Sequence, residues 1–531
     1  MMWISLLASA LIASETLPSA TFRVGIEMPS QIPSIPAVEN ALRDMGITWI
    51  NSYVVNSPGA DLPEQETNQG MLDLCQRLNL EFAHACHHRN PSEESVHNGL
   101  VSSKDRYLGV LFDELAHIRL LHPEYAATAP ELMLADGSKF TSLFDAYDQV
   151  SEGYQRLKAQ YDSLGAPCVI ATHVWPNLLH LAARSGFIPC PKICKEFYSP
   201  VSLAIGLGAA LQYNRELWVD CDMWYYQLVP GHTAEEIRAN LIFAYWMGAD
   251  RVYLEGSGYN LLPAGKQGTP FSLVNVISPD RYQLTPHGEV LKWFCRTYIP
   301  AHPRPYTFRD IRPTTAIIRF EDGDFGQKSV GTKNLYGSPN LTGDANTRAW
   351  LSIWNLLTYG KTGTDGLTYF KNTCTGPPND PRYHSEVTPS YLNDPVSSGM
   401  HSFFVPLNGV VVFDDFVGYE RLKGIPLLFL TGKRVSEKTM TAIRKCVDEG
   451  AVCIAWGPLA RQNGFTDWDA GVTVIPQGKG RFVLTDDFGS QDTLVQYYAF
   501  RGRPDEISYR FGEQQVILRR VTDNDIEVEI H

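Results

Sequence analysis

Several common functional signatures are missing from this 531-residue chain. There is no basic stripe: Lys and Arg total 45 against 58 Asp and Glu, a formal charge of −13. Such a field repels a polyanion, which excludes nucleic acid as an expected partner. There is no Gly-rich phosphate turn. The first strand-like stretch runs into IEMPSQIPSIP, and YGKTGTDG follows Asn355 where a P-loop needs its first Gly. There is no C-x-x-C pair among the 10 Cys, which removes zinc-ribbon and thioredoxin-like chemistry. Only Cys190 and Cys194 lie close, in CPKIC, where free thiols and a loop disulfide are both open readings. Past the first residues, no apolar run approaches the ~20 residues that span a bilayer, so no membrane partner is expected after processing.

What is present is a globular composition, 44% hydrophobic and 19% charged, in a chain too long for one core. Its 11 Trp and 25 Tyr offer flat apolar faces with a polar handle, suited to cores and to ligand platforms. The first twenty residues, MMWISLLASALIASETLPSA, carry an apolar run and then small residues near Ser19 and Ala20. They read as a secretory signal without its basic start, the first Lys or Arg being Arg23. Export, to the periplasm or beyond, is therefore expected. His84, His87 and His88 cluster in EFAHACHHRN, but no second ligand cluster accompanies them, and neither a metal nor a cofactor is expected.

From residue 21 onward, short β-rich runs alternate with helical segments. TFRVGIEMP, ITWINSYVV, LEFAHACHH, RYLGVLFDEL, APCVIATHVW, ELWVDCDMW and DRVYLEGSG read as seven strands, with an eighth expected near FSLVNVI. Between them lie helices such as TAEEIRANLIFAYWMG, where Thr233 and Glu236 form a capping box. Alternation of this kind predicts a parallel sheet, and its length predicts a (β/α)8 TIM barrel over residues 21–305. The Pro-rich YIPAHPRPYTFRDIRP marks a boundary. Beyond it, 306–480 reads as a second α/β domain, and 481–531 as a small C-terminal β region.

A barrel keeps its chemistry at the C-terminal ends of its strands. Those ends carry Glu27, His88, Asp113 and Glu114, His173, Asp220 and Asp222, and Glu255, with Trp175, Trp224 and Tyr225 at or after them. Two carboxylates at one pocket, one donating a proton and the other ionised, are what glycoside hydrolysis requires, and aromatic faces stack on sugar rings. VLFDELAH also has helical spacing at Leu108, Leu111, Leu115 and Ile118, which would leave Glu114 on a surface.

On VLFDE and VYLEGSG the chain resembles the clan A glycoside hydrolases, (β/α)8 barrels with a Glu acid/base ending strand 4 and a Glu nucleophile ending strand 7. The order of barrel, flavodoxin-like domain and β region is similar to that of family 42 β-galactosidases. The resemblance implies a retaining, exo-acting β-glycosidase with Glu114 as acid/base and Glu255 as nucleophile, and a homotrimer or other homo-oligomer. Glu27, His88, Asp113, His173, Trp175, Asp222, Trp224 and Tyr225 are then the expected contacts to a carbohydrate substrate. One position departs from the clan, which has Asn before the strand 4 Glu where this chain has Asp113. That departure opens an alternative resembling family 20 hexosaminidases, in which Asp113 orients a 2-acetamido group and Glu114 is the acid. A non-catalytic carbohydrate-binding barrel is the reading from another class.

Overall fold

The computed structural model describes residues 22–28, 35–53, 64–86, 89–116, 119–120, 133–171, 178–194, 197–223, 232–255, 259–261, 272–324, 335–363, 403–522 and 524–531. The expected leader, 1–20, lies outside them. No helix among the described residues is long and apolar enough to cross a membrane.

The first half of the chain is a closed parallel barrel. Its strands are β1 (Arg23–Met28), β2 (Trp49–Tyr53), β3 (Glu81–Cys86), β4 (Tyr107–Asp113), β5 (Cys168–Ala171), β6 (in two pieces, Ile188–Cys190 and Lys192–Ile193), β7 (Trp218–Asp222) and β8 (Arg251–Glu255). The sheet runs from the first piece of β6 through β5 to β1, then through β8 and β7 to the second piece. The two ends meet at Pro191, so the ring closes as eight strands. Pro191 has no N–H to give to a ladder. It sits where β6 changes partner from β5 to β7, and its carbonyl accepts the Asp220 N–H at 3.2 Å. Each strand feeds a helix: α1 (Pro36–Met45), α2 (Glu64–Leu78), α3 (Glu93–Ser103), α4 (Leu143–Leu164), α5 (Leu179–Arg184), α6 (Ser199–Tyr213), α7 (Ala234–Trp246) and α8 (Pro286–Trp293). Thr233 and Glu236 close the expected capping box on α7.

The barrel matches the expected fold, but the assignment of its last strands does not. CPKIC is strand β6, not a loop, and both of its cysteines are free and buried. VYLEGSG therefore ends the eighth strand rather than the seventh. The expected eighth strand lies outside the barrel, as β10 (Val274–Ser278) between β9 (Tyr259–Leu261) and β11 (Arg281–Leu284) in a separate three-stranded sheet.

Side-chain alternation fills the interior in layers. Trp49, Leu108, Leu111, Val169, Cys190, Trp218 and Tyr253 pack together as the inner core. Gly25 makes room for this layer, because a Cβ there would lie 2.3 Å from the Trp49 ring. Two residues further along the same faces come Asp113, Lys192, Asp220 and Glu255.

The Pro-rich boundary is anchored rather than loose. Buried Arg304 donates to the Ala249 carbonyl at 2.9 Å, and the Tyr306 hydroxyl donates to the Trp246 carbonyl at 2.8 Å. The second domain contains β12 (Thr315–Arg319), α9 (Ala345–Leu357), β13 (Leu407–Asn408), β14 (Val410–Asp414), α10 (Tyr419–Leu422), β15 (Leu427–Thr431), α11 (Glu437–Glu449), β16 (Val452–Trp456), α12 (Gly457–Gln462), β17 (Thr473–Gln477), β18 (Gly480–Thr485) and α13 (Gln491–Tyr497). Its sheet has the order β14-β12-β15-β16-β18-β17, parallel except for the edge strand β17. Without that edge it is the 2-1-3-4-5 order of a flavodoxin-like sheet. This sheet runs to Thr485, past the expected boundary at 480. β13 joins β19 (Glu506–Phe511), β20 (Gln514–Thr522) and β21 (Asp525–Ile530) in the C-terminal sheet, whose last two strands form the expected hairpin.

Barrel and second domain are in direct contact. Gly208 on α6 lies against β14, where an added Cβ would sit 1.6 Å from the Val412 carbonyl oxygen. His180 on α5 is within 2.9 Å of that same oxygen through Nε2.

Candidate active site

The motif VLFDELAH resolves into the last residues of β4 and the turn after it. Leu108 and Gly109 form a bulge, since Phe82 and Ala83 on β3 face Tyr107 and Gly109. Gly109 has φ +100, and a Cβ there would meet the Pro167 carbonyl oxygen at 2.1 Å, so this bend requires glycine. The strand reading holds and the helical one does not.

Adjacent strand residues ordinarily point to opposite faces. Asp113 and Glu114 nevertheless reach the same point. Asp113 ends β4 facing the barrel axis. Glu114 adopts a left-handed backbone, φ 52, while its N–H continues the ladder to the Ala171 carbonyl at 3.1 Å. For a non-Gly residue that conformation costs on the order of 1–2 kcal/mol. Here it swings the second carboxylate around to the same side as the first.

The meeting point is Lys192, on the second piece of β6. Its ammonium lies 3.0 Å from Asp113, 3.4 Å from Glu114, 3.7 Å from Asp220, 3.9 Å from Asp222 and 2.5 Å from Glu255. Only 2% of its side chain is exposed. Burial by itself would push the ammonium towards neutrality. The carboxylates around it, Asp113 and Glu255 first, outweigh that and hold it protonated well above the usual lysine range.

Two phenols complete the cluster. Tyr53, ending β2, donates to Asp113 Oδ2 at 2.9 Å, and Tyr253 on β8 donates to Asp220 Oδ2 at 2.7 Å. Burial raises both phenols far above their ordinary range. The carboxylates around them add to it: Asp113, Glu27 and Glu255 for Tyr53, and Asp220 first for Tyr253. Glu27, at the end of β1, thus belongs to the same rim.

Asp113, Asp220 and Glu255 are the one group among the described residues whose ligand atoms come close enough to share a metal ion, within 4.8 Å of one another. The Lys192 ammonium already sits among them. An internal cation takes the position a metal would need, so this donor set does not fit a metal.

Of the expected residues, the structure brings together Glu27, Asp113, Glu114, Asp222 and Glu255. His88, His173, Trp175, Trp224 and Tyr225 lie outside the described residues. His84 is a core residue: its ring nitrogens meet the Tyr107 hydroxyl at 2.6 Å and Asn68 Oδ1 at 2.8 Å, and burial lowers it to about 3, leaving it neutral. Lys192, Tyr53 and Tyr253 were not expected. Tyr53 had a visible signal, a phenol at the end of ITWINSYVV. Lys192 had one too, a lone cation in the apolar run FIPCPKIC.

No family model and no curated protein matches the chain. Among solved structures, it is similar to the exo-β-1,4-mannosidase from Opitutaceae bacterium strain TAV5, at 11% identity and TM-score 0.45, over 90% of this chain and 95% of that one. It is similar over 57% of its length to 98% of a mannanase catalytic domain from Streptomyces sp. SirexAA-E, at 12% identity and TM-score 0.34. It is similar over 44% of its length to 85% of the deoxyribose phosphate aldolase from Aeropyrum pernix, at 12% identity and TM-score 0.26. Likeness this distant carries no activity and no residue role to this chain, so the chemistry rests on the geometry above.

Proposed function

We propose that the barrel mouth is the active site of a retaining β-glycosidase, with Glu114 as acid/base and Glu255 as nucleophile. The observation that carries this reading is the convergence of both glutamates on one ammonium. Glu114 Oε1 and Glu255 Oε2 lie 3.4 and 2.5 Å from Lys192 Nζ. Those two oxygens are therefore within about 6 Å of each other, a bound compatible with the ~5–5.5 Å carboxyl spacing of retaining enzymes. Glu255 has the closer contact with the cation, as suits the ionised partner. Glu114 is the more exposed of the two, at 19% against 14%, as suits a group that exchanges its proton with leaving group and water.

Asp113 fits this scheme as an anchor. Its two oxygens are engaged by Tyr53 and Lys192, so it fixes the β4 end instead of supplying the hydrogen bond that Asn gives in the clan. A second reading has one observation behind it. Strand 7, where the clan keeps its nucleophile, ends here in Asp222, which also faces Lys192. Exo action, export of the chain and assembly into a homo-oligomer belong to the same proposal.

The test is hydrolysis of a panel of aryl β-glycosides by the wild type and by Glu114→Gln and Glu255→Gln. Glu255→Gln should fold normally and lose about 10⁴-fold or more in turnover. Glu114→Gln should lose about 10²–10⁴-fold, and least on substrates whose leaving group needs no proton. Near-normal turnover by Glu255→Gln would remove the nucleophile assignment. Cleavage confined to N-acetylglucosaminides would favour the substrate-assisted alternative, and binding without release of the aglycone would favour a non-catalytic module.

A further inference from the structure

Behind the two proposed catalytic glutamates lies Asp220, which has no exposed surface. Its carboxylate is within 4.8 Å of those of Asp113 and Glu255. Charged and polar groups face it from every strand around it. Lys192 and Cys190 come from β6, Tyr253 and Glu255 from β8, Asp113 from β4, and Asp222 and Cys221 from its own strand. Three acidic groups in this dry space share one ammonium, and three ionised carboxylates would leave an uncompensated buried charge, which is expensive. The ammonium is placed unevenly among them. It lies 2.5 Å from Glu255 and 3.0 Å from Asp113, but 3.7 Å from Asp220.

We propose that Asp220 is a protonated positioning residue whose hydroxyl donates to the Glu255 carboxylate while its other oxygen accepts from Tyr253. Glu255 is then held between a cation and a neutral acid. Each fixes its orientation, and neither takes its charge. The tendency of the group agrees: burial first, and then the charge of Glu255, raise Asp220 well above the usual carboxylate range, against the opposing pull of Lys192. The effect on turnover rests on the glycosidase reading; the proton itself does not.

Two measurements separate those claims. Infrared spectroscopy at neutral pH should show, in the difference between wild type and Asp220→Asn, a carboxylic-acid carbonyl band that shifts in D2O and is separate from those of Asp322 and Asp415, which burial holds at about 7. Asp322→Asn serves as the control for a second buried acid, and should leave that band in place. Tyr253→Phe, which removes the donated phenol, should move the band without abolishing it, giving an assignment even if Asp220→Asn fails to fold. A band that neither variant alters, or no band in the wild type, overturns the proposal whatever the substrate is. In turnover, the Asn side chain can donate as the acid does. On an aryl substrate whose leaving group needs no proton, so that Glu114 does not set the alkaline limb, Asp220→Asn should therefore keep kcat within about tenfold at neutral pH and lose the wild type's alkaline limb, while Asp220→Ala should lose activity. An unchanged alkaline limb in Asp220→Asn, with the band assigned to Asp220, would overturn its action on Glu255 but leave the proton in place.

Discussion

At the mouth of the barrel one ammonium, Lys192, faces five carboxylates. At the strand ends of the second domain, three buried carboxylates each have an arginine of their own. Asp322 pairs with Arg319, Asp415 with Arg434 at 2.7 Å, and Asp324 with Arg348 at 3.1 Å. Glu321 accepts the N–H groups of His180 and Leu181 at 3.1 and 2.7 Å, tying the domain to α5 of the barrel. The cations are boxed as well: Arg319 lies 3.6 Å over the Trp350 ring and Arg434 lies 4.4 Å over Phe320. Both regions are C-terminal ends of parallel sheets, where ligands ordinarily bind. In the second domain those ends are closed by private pairs, and Glu321 beside them ties the domain to the barrel. In the barrel they converge in excess on a shared cation. One arginine for one carboxylate is what a structural joint needs, and several carboxylates held on one cation are what acid–base chemistry needs.

The comparison breaks most sharply at its cations. Lys192→Met leaves the converging carboxylates without a counter-ion. Urea unfolding at pH 8 should show a loss of about 3–5 kcal/mol, partly recovered at pH 5 as carboxylates take up protons, and turnover should vanish at both. Unchanged stability at pH 8 would mean that the cluster is solvated. A smaller effect, of about 3 kcal/mol, is expected at pH 8 for Arg319→Met in the second domain. Burial holds Asp322 at about 7 even with Arg319 beside it. A raised carboxyl favours the fold at low pH, and that contribution fades as pH rises from the unfolded value, near 4, through about 7. Without Arg319 the ionised form is costlier still, so the loss should be greater at pH 8 than at pH 5. Turnover per folded molecule should not change. A loss of activity without a loss of stability would erase the distinction between the two regions.

The barrel was legible because its alternation of strand and helix is coarse and repeated, and the second α/β unit was legible in apolar runs such as IPLLFLTG and AVCIAWGP. Strand β6 was not. It has three residues, then Pro191, then two more, and prolines at 189 and 191 argue against a central strand. Only the change of partner at Pro191 makes them tolerable, and that is a property of the closed ring. Missing β6 moved Glu255 from the eighth strand to the seventh and hid Lys192, the centre of the site. The carboxylates themselves were legible, because strand ends advertise them. What Asp113 does was not, since its partners Tyr53 and Lys192 come from β2 and β6, 60 and 79 residues away.

The central claim is that Glu255, pinned by Lys192 at the end of β8, forms the bond to the sugar. The most direct measurement is to trap that bond with a 2-fluoro glycoside of the best aryl substrate and identify the modified peptide. The account predicts stoichiometric inactivation with the label on Glu255. A label on Asp222, or continued turnover with no label, would contradict it.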